Sequence, residues 1–121
     1  VVAVAAGNFH TCALTTDGRL HCFGHNGSGQ CDPPRALPPV VAVAAGNFHT
    51  CALTTDGRLQ CFGNNGKGQC DPPRALPPVV AVAAGNFHTC ALTTDGRLHC
   101  FGDNSHGQCD PPRGLPPVVA V

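Results

Sequence analysis

Residues Val1 to Pro39 read VVAVAAGNFHTCALTTDGRLHCFGHNGSGQCDPPRALPP, and this unit decides the fold because the chain repeats it. Near-identical copies occupy residues 40–78 and 79–117, and VVAV at 118–121 begins a fourth. A period of 39 residues is typical of arrays in which each unit buries its apolar face against the next. We therefore predict three repeat domains, 1–39, 40–78 and 79–117, followed by a closing strand at 118–121.

Five positions of the repeat differ between the copies. They are His21, Gln60 and His99; His25, Asn64 and Asp103; Gly27, Gly66 and Ser105; Ser28, Lys67 and His106; and Ala36, Ala75 and Gly114. Three of the five fall within four consecutive residues, 25–28 in the first copy, which indicates one variable loop. Both ends of the chain lie inside the repeat and it contains no methionine, so we expect an excerpt from a longer array or an engineered one.

The composition is that of a globular protein without a charged binding surface. Hydrophobic residues make up 42% of the chain and charged residues 12%, and seven basic residues balance seven acidic ones. This balance provides no electrostatic footprint for DNA, RNA or an anionic membrane, so we expect neither nucleic acid nor membrane as a partner. No apolar run approaches the roughly 18 residues of a membrane helix.

Each repeat predicts three strands and no helix. The β-branched and small apolar run 1–6 is suited to a strand buried on both sides. Residues 10–15 alternate, Asp17-Gly18 provides a turn, and residues 19–23 return as the second arm of a hairpin. Glycine and proline are frequent and no 3.6-residue apolar period exists, which excludes helix. The proline-rich segment 32–39 is expected to be an extended connector, because proline cannot donate to a ladder.

The hairpin register follows from its apolar pattern. A two-residue turn would place Leu14 opposite His21, which mixes polar and apolar side chains on each face. A three-residue loop that ends in a left-handed glycine instead pairs Leu14 with Leu20 and Cys12 with Cys22. We favour the second register because it leaves one clean apolar face.

The repeat resembles that of the regulator of chromosome condensation family. The matching positions are Ala5, Ala6, Gly7, His10, Ala13, Leu14, Asp17, Gly18, Phe23, Gly24, Asn26, Gly29 and Gln30. Phe23 replaces the family's tryptophan and Cys31 its leucine, and both changes keep the position apolar. The resemblance implies an all-β fold of β-propeller blades. Members are usually seven-bladed, so three blades are too few to complete a ring alone.

The cysteines suggest cross-strand disulfides. In the favoured register, opposed Cβ atoms lie about 4.5–5.5 Å apart, slightly wider than the ~3.8 Å of a bridge. The candidate pairs are Cys12 with Cys22, Cys51 with Cys61, and Cys90 with Cys100. The alternative is free core cysteine in a reducing compartment. Cys31, Cys70 and Cys109 are left over, and we expect them to be buried thiols.

Metal, cofactor and catalytic functions find little support. His10, Cys12, Cys22 and Cys31 recur in each repeat, but no two cysteines are two to four residues apart as in zinc sites. We expect His10 to bond a neighbouring backbone at a blade corner. A nucleophilic site needs a nucleophile, a base and an orienting acid within hydrogen-bond reach of one another. The candidates in each repeat are Cys31, His10 and Asp17, but the aspartate is already needed in its turn. We therefore expect no metal, no cofactor and no enzyme activity.

Three functions remain open. The first is a scaffold that assembles with copies of itself. The second is a protein-binding propeller that uses the variable loops, although the chain lacks the tryptophan and tyrosine that are common in binding hot spots. The loop candidates are His25, Ser28, Asn64, Lys67, Asp103 and His106. The third is guanine-nucleotide exchange on a small GTPase, which the resemblance suggests but for which no inserted wedge is visible.

We expect copies of the chain to assemble with one another. Three blades leave complementary apolar surfaces at the two ends, so chains can join head to tail. Propellers typically have about four to eight blades, and six is the only multiple of three in that range, so a homodimer is favoured. A trimer of nine blades and an open filament are the alternatives. Closure is expected to use strand exchange, with VVAVAAG completing the blade of the preceding repeat.

Overall fold

The computed structural model of the chain describes residues 2–121 and is built of β-strands. The strands are β1 (Ala3–Ala6), β2 (His10–Leu14), β3 (Leu20–Gly24), β4 (Val40–Ala45), β5 (His49–Thr54), β6 (Leu59–Gly63), β7 (Val79–Ala84), β8 (His88–Thr93) and β9 (Leu98–Gly102). Among residues 2–121 there is no helix of the length and hydropathy needed to span a membrane. The all-β prediction is confirmed.

The strands form three separate antiparallel sheets, each drawn from a single repeat in the order β1-β2-β3, β4-β5-β6 and β7-β8-β9. The expectation that VVAVAAG completes the preceding blade is therefore wrong. In each copy this strand pairs with the hairpin that follows it, as Ala3 does with Leu14. Only residues 7–9 separate β1 from β2, so this pairing closes a far shorter loop than pairing with another repeat would.

The predicted hairpin register is confirmed in all three sheets. Leu14 lies opposite Leu20 and Cys12 opposite Cys22, and the other copies repeat this pairing. Gly18 has a φ of 79°, the left-handed conformation that the three-residue loop requires. The opposed cysteines form three disulfides, Cys12–Cys22, Cys51–Cys61 and Cys90–Cys100.

The first strand of the repeat contacts a blade on both sides only in the middle repeat. There Val43 packs against the first junction core and Ala42, of opposite parity, against the second. In the first repeat Val4, the equivalent of Val43, is 65% exposed because no blade packs on that face. The expectation of a strand buried on both sides therefore holds for β4 and fails for β1.

Each sheet has two faces of different composition. The face that we call the leucine face contains Cys12, Leu14 and Leu20. The opposite face, which we call the phenylalanine face, contains Thr11, Ala13 and Phe23. The leucine face of one blade packs on the phenylalanine face of the next. The two resulting cores contain Cys12, Leu14, Leu20, Val40, Ala52 and Phe62, and then Cys51, Leu53, Leu59, Val79, Ala91 and Phe101. The equivalence of the two cores shows that one junction geometry repeats along the chain.

Residues 118–121 form no strand within the single chain, and their role as the closing strand of a ring stays a prediction. The amide of Val118 donates to the Gly96 carbonyl at 2.8 Å, as Val40 does to Gly18 at 2.9 Å, so the segment begins as the others do. The connector 32–39 differs from its prediction, because a turn at residues 35–36 interrupts it.

Candidate functional site

The phenylalanine face of the first blade is uncovered. Phe23 is 61% exposed, whereas the equivalent Phe62 and Phe101 are each 9% exposed. Ala13 is likewise only half-buried, while Ala52 and its third-repeat equivalent are fully buried. The sequence supplies the same side chains at all three positions, so the difference comes only from the absence of a preceding blade.

The leucine face of the third blade is partly uncovered in the complementary way. Leu98 is half-buried, whereas Leu20 and Leu59 are each 8% exposed, but Leu92 on the same face is only 3% exposed. A cavity of ≈440 Å³ opens beside this end. Its lining residues are Asn86, Phe87, His88, Asp103, His106 and Gln108. At the internal junctions the next repeat occupies the equivalent space.

A buried polar relay crosses the first junction between blades. The Thr50 hydroxyl donates to the Gln30 carbonyl at 2.8 Å. The same hydroxyl lies 2.8 Å from His10 Nε2, and because its proton is already used, it accepts the proton of the imidazole. His10 therefore bonds a side chain of the next blade through Nε2, in addition to a hydrogen bond with the His49 backbone of the kind that was expected. The sequence showed no link between His10 and a threonine 40 residues away.

The second junction repeats this relay. His49 Nε2 lies 3.0 Å from the Thr89 hydroxyl, which donates to the Gln69 carbonyl at 2.9 Å. Burial, with a smaller contribution from the neighbouring His10 and His88 side chains, lowers the pKa of His49 to about 4, although a hydrogen bond with the His88 backbone opposes the shift. The imidazole therefore stays neutral at physiological pH and acts as the donor of the relay.

Two of the six variable-loop candidates have a role inside their own loop. Gln69 Nε2 donates to Asn64 Oδ1 at 3.1 Å, and Gln108 Nε2 donates to Asp103 Oδ2 at 3.0 Å. The spacing of five residues between acceptor and glutamine is the signal from which this pairing could have been found. In the first repeat His25 stands at the acceptor position, and Gln30 Nε2 is buried without a partner.

The loop candidates lie on three separate loops, and of the six only Asp103 and His106 line the ≈440 Å³ cavity within residues 2–121. The backbone amides of Ser28, Lys67 and His106 donate to the glutamine of their own loop at 2.8–2.9 Å. The side chains of Lys67 and His106 are exposed. The candidates are thus solvent-facing loop residues that the glutamine holds in place.

Phenylalanine side chains that the sequence analysis did not single out lie beside these loops. The Phe9 and Phe48 rings stack with centroids 5.2 Å apart and 10° between their planes. His25 meets both rings edge-on, at 6.3 and 5.7 Å. Phe9 is 53% exposed and Phe87 is 36% exposed, so an aromatic row borders the variable loops.

Replacing His25 with asparagine is expected to stabilise the chain by about 1 kcal/mol, because Gln30 Nε2 gains the acceptor that Asn64 provides to Gln69. An unpaired buried amide costs more than the edge contacts of an exposed histidine contribute. Urea unfolding measures the change. The reverse variant Asn64→His should destabilise by a similar amount, and a lowered midpoint for His25→Asn would contradict this role of the loop.

The three remaining cysteines are half-buried rather than buried as expected. Each thiol donates to a carbonyl of the variable loop at 3.3 Å, that of Cys31 to His25. Burial, with a smaller contribution from the Asp71 carboxylate, raises the pKa of Cys70 to about 11. Such a thiol is mostly protonated at neutral pH and is a poor nucleophile or metal ligand.

Comparisons with known proteins identify a repeat family and solved structures that resemble the three blades. A family model described as the regulator of chromosome condensation (RCC1) repeat matches residues 1–30, 40–69 and 79–108. A search of curated protein sequences finds no match to the chain.

Solved structures give the same result. The chain is similar to Prp20p from Saccharomyces cerevisiae, with a TM-score of 0.79 and 27% identity over 95% of this chain and 34% of that one. It is also similar to the CRINKLY WD40 ectodomain of the Arabidopsis thaliana receptor kinase ACR4, with a TM-score of 0.69 and 27% identity over 82% and 37%. Human WBSCR16 shares the fold at a TM-score of 0.76 and 22% identity, over 84% and 32%. The chain thus spans about a third of the length of each of these structures.

Proposed function

Because the chain belongs to the regulator of chromosome condensation repeat family, we propose that it is a non-enzymatic propeller scaffold that joins a second copy end to end in a closed ring. The observation that carries this proposal is the burial of the phenylalanine position, 9% exposed in Phe62 and Phe101 but 61% in Phe23. Inside the chain each kind of face is covered twice. The phenylalanine face is left open on the first blade, and the leucine face is left partly open on the third. Covering a phenylalanine of this kind stabilises by roughly 1.5–3 kcal/mol.

The repeats make the two ends complementary. The leucine face of the third blade contains Cys90, Leu92 and Leu98, which are the residue types that cover Phe62 and Phe101 inside the chain. A second copy can therefore continue the array with the same junction geometry. Two chains provide six blades, which is within the usual range of about four to eight, whereas three chains provide nine.

The absence of catalysis is the second part of the proposal. The Nε2 proton of His10 is engaged by Thr50, and the Asp17 carboxylate accepts from the Thr15 hydroxyl and the Arg19 amide in its turn. Burial raises the pKa of the Cys31 thiol. These contacts support a structural role for the three groups that would otherwise be the parts of a nucleophilic site.

Native mass spectrometry tests the proposal by counting chains. The account expects a species of twice 12.4 kDa with its disulfides intact. A population made only of folded single chains would contradict it, and a ladder of masses that grows with concentration would indicate an open filament instead of a ring.

Protein binding at the loop surface is the second candidate function. The observation in its favour is the aromatic row, in which Phe9 remains 53% exposed beside loops that vary between repeats. Phenylalanine is enriched in the cores of protein interfaces. The Prp20p structure was described with that protein's binding to Gsp1p and histones. Alanine at Phe9 should remove such binding. Because Phe9 stacks on Phe48 across the internal junction and Phe87 lines the cavity that a second copy is proposed to fill, the assembled mass of the variant is measured beside its binding.

A further inference from the structure

We infer that the junction between two copies is completed by a hydrogen-bond relay in which Thr11 of one copy joins His88 and the Gln108 carbonyl of the other. This inference rests on the proposed ring and adds the contact that sets its register. It assigns Thr11 the position that Thr50 and Thr89 occupy inside the chain.

The internal junctions define what the relay requires. Thr50 and Thr89 are both fully buried, and each hydroxyl bridges an imidazole and a carbonyl of the preceding blade. At each of these junctions the same three groups meet: a His Nε2, a threonine hydroxyl and a glutamine carbonyl. The relay is therefore a constant feature of blade packing in this protein.

The two ends of the chain carry the separate halves of a third relay. Thr11 is half-buried on the uncovered phenylalanine face, and within residues 2–121 its hydroxyl makes no hydrogen bond. His88 and Gln108 are half-buried at the opposite end, although their internal equivalents are at most 4% exposed. His88 and Gln108 also line the ≈440 Å³ cavity that the next blade would fill. The missing partner of each half is present on the other end.

The relay accounts for register as well as affinity. The apolar side chains of the two faces are small and similar, so they tolerate sliding of one blade on another. A threonine displaced from the imidazole would leave a buried donor and a buried carbonyl unpaired, which costs more than a misplaced apolar contact. A second copy of this chain supplies the hydroxyl at the required place, because its Thr11 has the same strand position as Thr50 and Thr89.

The test compares Thr11→Val, which keeps the shape and removes the hydroxyl, with Thr11→Ser, which keeps the hydroxyl. A ring of two chains contains two end junctions, so each substitution acts twice. Sedimentation equilibrium should show a dimer dissociation constant at least about tenfold higher for Thr11→Val, and recovery of most of that loss for Thr11→Ser. Thr50→Val is the matched control: below the association concentration it should lower the thermal midpoint of the single chain, whereas Thr11→Val should not.

The outcomes separate this inference from the proposed function. A wild-type chain that stays monomeric overturns both. A wild-type dimer whose dissociation constant is unchanged in Thr11→Val overturns the relay alone and leaves the ring standing. Equal weakening by Thr11→Val and Thr11→Ser would also overturn the relay, because the hydroxyl would then have no role.

Discussion

Reduction of the three disulfides is expected to bring the chain close to unfolding at room temperature. Each bridge closes a loop with a sequence separation of 10, for which chain entropy gives about 2–3 kcal/mol per bridge. Three such contributions are comparable with the total stability of about 5–15 kcal/mol typical of a domain. Cys12 and Cys51 are fully buried in the junction cores, so the bridges also fix the packing surface between blades.

The measurement is thermal unfolding followed by circular dichroism, after refolding with and without reductant. The account expects a large fall of the midpoint when the thiols are kept reduced, and three free thiols per denatured, unreduced chain against nine after reduction. Cys31→Ser is the control, because this cysteine forms no disulfide and should change the midpoint little. Equal midpoints in both conditions would show that the hairpins do not depend on their bridges.

Aspartate at Phe62 is expected to unfold the chain, whereas aspartate at Phe23 is expected to leave the folding of the single chain nearly unchanged. Phe62 is 9% exposed in the first junction core, and loss of such a ring alone costs about 3–5 kcal/mol before the burial of a charge is added. Phe23 is 61% exposed, and a substitution there should stay within about 0.5 kcal/mol for the single chain.

Urea unfolding of both variants below the association concentration measures this contrast. The two substitutions are chemically identical and occupy the same strand position, so only the presence of a covering blade differs. A similar loss of stability in both would mean that Phe23 is already covered within its own chain. Similar small losses would mean that the internal junctions contribute little.

The sequence alone predicted the strands, the hairpin register and the disulfide pairs, because these depend on contacts within one repeat. The alternation of residues 10–15 and the turn Asp17-Gly18 act over a few residues and leave one register with an apolar face. The family resemblance added the propeller-blade architecture, and the comparisons confirm the repeat family and the blade fold.

The contacts between repeats could not be predicted in this way. Nothing in the local pattern relates His10 to Thr50, because both lie in alternating strands and the link depends on how two sheets pack. The pairing of VVAVAAG was misjudged for the same reason, since the strand suits an edge of either neighbouring blade. Because the repeats are nearly identical, the sequence does not show which copy has an exposed phenylalanine. Only the structure shows that Phe23 differs from Phe62.

Coverage of the two end faces by a second copy doubles the molar mass of the protein in solution, which can be measured without any substitution. Size exclusion coupled to light scattering should give twice 12.4 kDa for the oxidised wild-type chain and 12.4 kDa for Phe23→Asp. A folded, monodisperse wild-type chain of 12.4 kDa would contradict the account.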